Sequence, residues 1–263
     1  MHRGFNLNID NSFFSSDDYE RGKKSYGKIK KDVKYNLRKY MYEDSSLDGN
    51  KIADEWFPNI KADVFISHSH TDERLAIKLA GWLEENFNLK CFIDSCVWGY
   101  ADDLLFNIDN DFCFDPEKGT YRYEDRNYST SHVHMMLSTA LNSMIDNVEC
   151  IIFLNTENSI QTVENVINKT TRSPWIYSEL ETTKIIRKRP ISDYRVVYET
   201  KSLNEDFNKY ANTLTIRYRC DLNHLCDLDS TALKYWKLIH GLTMYNHGLD
   251  NLYSIIESKN GDE

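Results

Sequence analysis

"DVFISHSHTDERLAIKLAGWLEENFNLKCFID", Asp63 to Asp94, decides the fold. It opens with "DVFISHS", Asp63–Ser69, a short apolar run suited to a strand buried on both faces. Thr71 or Asp72 then offers a helix cap, and Leu75, Leu79, Trp82 and Leu83 follow on one helical face. "LKCFID", Leu89–Asp94, is a second strand. Further out, Ser131–Asn147 has a helical period, with Met136, Leu137, Ala140, Leu141 and Met144 facing inward. "ECIIFLNT" (Glu149–Thr156) is a third strand, and "YRVVYE" (Tyr194–Glu199) and "TLTIRYR" (Thr213–Arg219) are later ones. Thr231–Tyr245 places Leu233, Trp236, Ile239 and His240 on one helical stripe. Strands alternating with helices predict an α/β fold, a parallel sheet with helices on both faces. Ligands in such sheets sit beyond the carboxyl ends of the strands.

Composition sets the limits. The chain has 263 residues, 41% hydrophobic and 13% aromatic, which describes a globular protein. No apolar run approaches the roughly 20 residues that cross a bilayer, and "MHRGFNLNIDNSFF" lacks a signal-peptide pattern, so a cytoplasmic protein away from membranes is expected. The six cysteines lie scattered without a CxxC pair, which suits reduced core thiols. A net charge of −9 argues against nucleic acid as a partner. Residues 1–60 differ in texture and are expected to form an N-terminal helical extension, with the main domain at 61–263. Between Glu20 and Tyr40 nine Lys or Arg face two acids, while Tyr26, Ile29, Val33, Leu37 and Tyr40 recur at helical steps.

A second helix starts at "SPWIYSELE", Ser173–Glu181. Ser173 is a good N-cap and Pro174 suits the first helical position. The basic residues Lys184, Arg187, Lys188 and Arg189 suit its carboxyl end. Trp175 and Glu179 are one turn apart and share a face, a pairing that on spacing alone is commonly a packed helix surface. Ser67, His68 and Ser69 close the first strand, and Asp94 with Ser95 closes the second. These segments converge on one rim, where hydroxyls, a carboxylate and a Trp suit a ribose and a ring.

These residues resemble the Toll/interleukin-1 receptor (TIR) domain family. The strand, the "SHSH-x-D" turn, the helix and "FIDS" come in the family's order, and S-x-W-x-x-x-E-L is similar to the segment that carries the catalytic Glu of NAD-cleaving members. The likeness covers roughly Lys61–Gly241. It implies a flavodoxin-like sheet, Glu179 as the catalytic residue, and Ser67, His68, Asp94, Trp98 and Trp175 around the substrate. Trp98 falls in the equivalent of the family's mobile loop after the second strand. NAD+ is then a substrate, no bound cofactor or metal is needed, and the partners are further copies through TIR–TIR contacts and a downstream effector that senses the nucleotide product, as in bacterial anti-phage defence. The alternative is a TIR scaffold that only assembles. The acid one turn after Trp175 favours the enzyme.

One departure is a long acidic insertion at 99–130. Gly99–Ser129 holds eight acids and three bases, and "FCFDPEKGTYRYED" reads as a hairpin. From Asp109 it lacks the Gly and Glu that a calcium loop needs at its sixth and twelfth positions. His68 with His70, and His132 with His134, form two HxH pairs in separate elements, so a shared metal site is not expected. No G-x-S-x-G and no Walker spacing is present.

Overall fold

The computed structural model describes residues 1–29, 37–163, 166–194, 217–243 and 247–260, with the backbone alone at 26–29, 96–100, 162–163, 166–168 and 259–260. Five parallel strands form the centre: β1 (Arg3–Leu7), β2 (Val64–Ser67), β3 (Cys91–Ile93), β6 (Cys150–Leu154) and β10 (Cys226–Leu228), in the order β10-β1-β6-β2-β3. Their side chains are almost entirely buried, from Phe5 and Leu7 through Phe65 and Ile66 to Ile151 and Leu154. Burial on both faces is what the apolar runs of β2 and β6 predict. The α/β expectation is met, and helices flank the sheet. Helices α1 (Ser16–Ile29), α3 (Glu73–Phe87), α7 (Ser230–Leu242) and α8 (Gly248–Asn260) form one packed group. A second group consists of α2 (Gly49–Trp56), α4 (Ser95–Ile108), α5 (Tyr123–Asn147) and α6 (Pro174–Ile185). No helix among the described residues is long and apolar enough to cross a membrane.

The first sixty residues are not a purely helical extension. They contribute α1 and α2, and they also supply β1, which lies between β10 and β6 with Phe5 in register with Cys226 and Ile152. Phe5, Leu7, Ile52 and Trp56 belong to the same core as Phe65 and Leu83. The boundary at residue 60 therefore divides the sequence but not the core. In the flavodoxin-like order 2-1-3-4-5, β3, β2 and β6 fill the first three places, and β1 holds the fourth. Helix α1 docks on α3 at two glycines. A Cβ on Gly22 would lie 2.0 Å from the Ile77 carbonyl oxygen, and one on Gly81 would lie 1.9 Å from that of Asp18. Only glycine permits backbones this close.

The insertion is built rather than loose. Ala101, Leu104 and Ile108 are buried at helical spacing, so residues 95–108 form α4 where a loop was expected. A π turn (Asp109–Cys113) follows, then the expected hairpin of β4 (Phe114–Asp115) and β5 (Thr120–Tyr121), its turn closed by Gly119 at φ +62°. α5 begins eight residues before Ser131 because Ser129, Val133, Leu137 and Leu141 extend one buried stripe. Between β6 and α6 the chain makes β7 (Gln161–Val163) and β8 (Val166–Thr171), which form a small antiparallel sheet with β9 (Tyr218–Arg219) from after α6. Of the two later strands expected, Tyr194–Glu199 lies outside the described residues after Tyr194, as does 213–216 of the other, whose described end forms β9.

Candidate functional site

Three elements meet at the carboxyl ends of β2 and β3. Ser67 is the last residue of β2 and His68 follows it. Asp94 follows β3 and caps α4, its carboxylate accepting from the Ser95 N–H at 2.8 Å. Glu179 projects from the second turn of α6. That helix starts as expected, with the Ser173 hydroxyl accepting from the Ile176 N–H and Pro174 in the first turn. Of the four basic residues assigned to its end, only Lys184 lies in the last turn. The helix stops at Ile185, and Arg187, Lys188 and Arg189 lie beyond it.

The four polar side chains form a dry chain of contacts. The Ser67 hydroxyl donates to Glu179 Oε2 at 2.6 Å, and His68 Nδ1 lies 2.5 Å from Asp94 Oδ1. Glu179 is 2% exposed and the side chains of His68 and Asp94 are 0% exposed, so Glu179 is a core acid, not the partly exposed helix acid that the spacing suggests. Oε1 of Glu179 and Oδ2 of Asp94 are buried, and with a proton on Glu179 the two carboxyl groups are near enough to hydrogen-bond. Burial, and then the charge of Asp94, push the Glu179 carboxyl well above its ordinary value of 4.5, while the Ser67 hydroxyl opposes the shift. A proton on Glu179 lets two carboxyl groups share this space. For His68, burial favours the neutral ring, but the charge and hydrogen bond of Asp94, aided by Glu73 and Asp72, outweigh it and raise the imidazole above 6.5. Both shifts favour the protonated forms of His68 and Glu179 beside Asp94.

The surrounding rim is tied together by Asp72. It stands at the N-cap position of α3, yet its carboxylate makes no cap bond. It accepts instead from the Thr156 hydroxyl at 2.5 Å and from Asn158 Nδ2 at 2.8 Å, joining the turn after β2 to the turn after β6. Thr156 and Asn158 escaped the sequence reading because a hydroxyl and an amide in a turn carry no spacing signal.

Trp175 is half-buried against the core, and its ring meets that of His134 from α5 edge-on at 5.7 Å. Near this edge Asp102 of α4 is exposed at its surface, and partial desolvation raises its carboxyl, opposed by His134 and His70. Trp98 lies on α4 rather than in a loop, and its side chain is outside the described residues. The calcium-loop candidate is already satisfied by protein groups: Asp109 accepts from Arg126 Nε at 2.8 Å and from the Ser129 hydroxyl at 2.6 Å. The structure therefore joins Ser67, Glu179, Asp94 and His68, and sets Trp175 apart with His134. No protein-family model, curated protein or solved structure matches the chain.

Proposed function

We propose that this chain is a TIR-type enzyme that cleaves the nicotinamide–ribose bond of NAD+, with Glu179 as its catalytic carboxylate. The observation that carries this reading is the convergence of Glu179, Ser67 and Asp94 at the carboxyl rim of a parallel sheet, where ligands of such folds bind. Nicotinamide joined to C1′ is a cationic leaving group and needs no general acid. Its departure leaves an oxocarbenium-like ribose, which a carboxylate stabilises. In the ligand-free protein burial, and then the charge of Asp94, favour the protonated form of Glu179. A bound cation favours loss of that proton, because a carboxylate beside a positive charge is stabilised. Ser67 then holds the carboxylate by donating to Oε2, and the imidazole of His68 beside Asp94 offsets part of the repulsion between the two acids. Trp175, one turn before Glu179, is placed to meet a nucleotide ring at the edge of the site. Attack by water gives ADP-ribose, while attack by an adenine nitrogen gives a cyclic product.

The same reading places the protein in the cytoplasm, in bacterial anti-phage defence, with a downstream effector that senses the nucleotide product and further copies of itself as partners. Exposed Phe106, Phe114, Tyr123 and Tyr128 on the acidic insertion support assembly through that face. Opposed charges between the insertion and the basic Glu20–Tyr40 segment would weaken as the screening length falls from about 10 Å at 0.1 M salt to about 3 Å at 1 M. Specific activity should then rise with protein concentration and the rise should be blunted by salt. A flat profile from nanomolar to micromolar protein argues against assembly.

One observation favours a second reading, a non-catalytic scaffold: Glu179 is as buried as a core residue and already hydrogen-bonded. Incubation of the purified protein with NAD+, with nicotinamide release followed by chromatography, separates the two. Release that disappears in Glu179→Gln supports the enzyme, and no release at any protein concentration supports the scaffold.

A further inference from the structure

At the other end of the sheet, three potential ligands converge from two elements distant in sequence. Glu149 precedes β6, His247 precedes α8, and Asp250 lies in the first turn of α8. One donor atom from each lies within 4.8 Å of the other two. Glu149 is only 3% exposed, so its carboxylate is directed into the protein rather than to solvent. His247 supplies an independent observation, since its Nδ1 is buried and has no hydrogen-bond partner among the described residues. The turn between the two α8 ligands is closed by the Asp250 N–H donating to the His247 carbonyl at 3.0 Å, which holds both on one side of the helix start.

We propose that Glu149, His247 and Asp250 form a binding site for a first-row divalent cation of the zinc or manganese type. Two carboxylates and one imidazole are a donor set for such ions rather than for magnesium, which prefers oxygen ligands and retained water. Bonds of about 2.0–2.2 Å place neighbouring donors roughly 3.0–3.4 Å apart. The three groups therefore need only side-chain adjustments to close on an ion, and solvent can complete the coordination. Closing them would fasten the start of α8 to the amino end of β6. The same residue also anchors the N-terminal strand, because the Glu149 carbonyl accepts from the N–H groups of His2 and Arg3 at 2.7 and 3.3 Å. The site is thus a structural clamp on the strand that occupies the fourth place in the sheet. It is independent of the Glu179 rim.

The test uses untagged full-length protein treated with a chelator and then titrated with Zn2+ and, separately, Mn2+, with calorimetry and thermal unfolding as readouts. One equivalent should bind per chain. At 100-fold excess over the dissociation constant the midpoint should rise by about 5–10 °C. His247→Ala and Asp250→Asn should each weaken binding by at least roughly 10–100-fold, whereas His132→Ala should bind like wild type. Co2+ should give a visible absorption band that His247→Ala abolishes, which keeps the test open should one variant fold poorly. Absence of binding to wild type by either ion overturns the proposal, as does binding that survives in both site variants.

Discussion

The two ends of the central sheet hold the same inventory, two carboxyl groups and one imidazole, and put it to opposite use. At the carboxyl rim His68 and Asp94 touch at 2.5 Å, and Glu179 shares their dry space with Ser67 as its donor. There the protein supplies the counter-charge itself, and the second acid is pushed towards its neutral form. At the amino end Glu149, His247 and Asp250 each bring a donor atom within 4.8 Å of the others, the trio proposed above to take a cation. Reach and dryness, more than residue type, decide whether such a trio titrates or ligates. A buried pair changes protonation before it accepts a foreign charge, because an unpaired ion in a low dielectric is costly.

The sharpest way to break this contrast is to remove the internal counter-charge. Asp94→Ala leaves His68 buried without its carboxylate, and breaking a buried pair in this way costs about 3–5 kcal/mol. The loss should be greater at pH 5 than at pH 8, since the imidazole is charged at the lower pH. Asp94→Asn keeps the shape and should cost less. Urea unfolding at both pH values measures this. Equal losses in Ala and Asn variants at both pH values would mean that the pair is not ionic.

Glu179→Gln comes next in size. If the carboxylate stabilises an oxocarbenium ion, turnover should fall by ~10²–10³, equivalent to about 2.7–4 kcal/mol. The fold should tolerate Gln well, because the group it replaces is held neutral in the ligand-free protein. Turnover at the wild-type rate in a folded Gln variant ends the catalytic assignment.

The pH dependence of stability is smaller and separates the two residues. The Glu179 carboxyl is raised above 4.5 on folding, so the native state binds the proton more tightly. Its contribution is complete below about pH 4.5 and is lost as pH rises through the native value. His68 is raised above 6.5, so its contribution is complete below about 6.5 and is likewise lost as pH rises. A tenfold gain in proton affinity on folding amounts to about 1.36 kcal/mol. Stability should therefore decline from pH 5 to 8, and Glu179→Gln should flatten the decline. Activity should move the other way, since the ionised acid is the working form. Parallel stability curves for the two proteins would mean that Glu179 is not held neutral.

Much of this was legible in the sequence, though unevenly. β2, α3, β3 and β6 announce themselves through apolar runs and a helical stripe, and the cap at Ser173 through residue type alone. The rim residues Ser67, His68 and Asp94 follow from where strands end, whereas Glu179, on a helix, stood out through the resemblance of "SPWIYSELE" to the TIR segment. β1 stayed hidden because "RGFNL" is short, carries a Gly and an Asn, and gains its place only by pairing with strands some 150 and 220 residues away. The β7–β8 hairpin had a signal in the β-branched residues Thr162, Val163, Val166, Thr170 and Thr171, which the neighbouring cap overshadowed. Burial of Glu179 could not be read, because helical spacing gives the shared face with Trp175 but not what covers it. The amino-end trio joins positions about 100 residues apart, and only the folded chain brings them together.

Trp175→Phe should give the smallest effect, at a residue that lies where the dry rim ends. Its ring is half-buried and meets His134 edge-on, so it packs and at the same time offers an edge to a ligand. Trp175→Phe keeps an aromatic in that contact and should cost less than about 1.5 kcal/mol of stability, as volume-tolerant apolar changes do. Trp175→Ala removes the ring and should cost roughly 3 kcal/mol if the residue is chiefly a packing element, or clearly less if its exposed part predominates. The Michaelis constant for NAD+ distinguishes the roles. A Phe variant of normal stability with a several-fold higher KM and unchanged kcat assigns the indole to substrate binding, since loss of uniform binding appears in KM alone. A Phe variant that is less stable yet has wild-type KM and kcat leaves Trp175 as part of the core. In that case the substrate-facing surface begins beyond it, at His134 and Asp102.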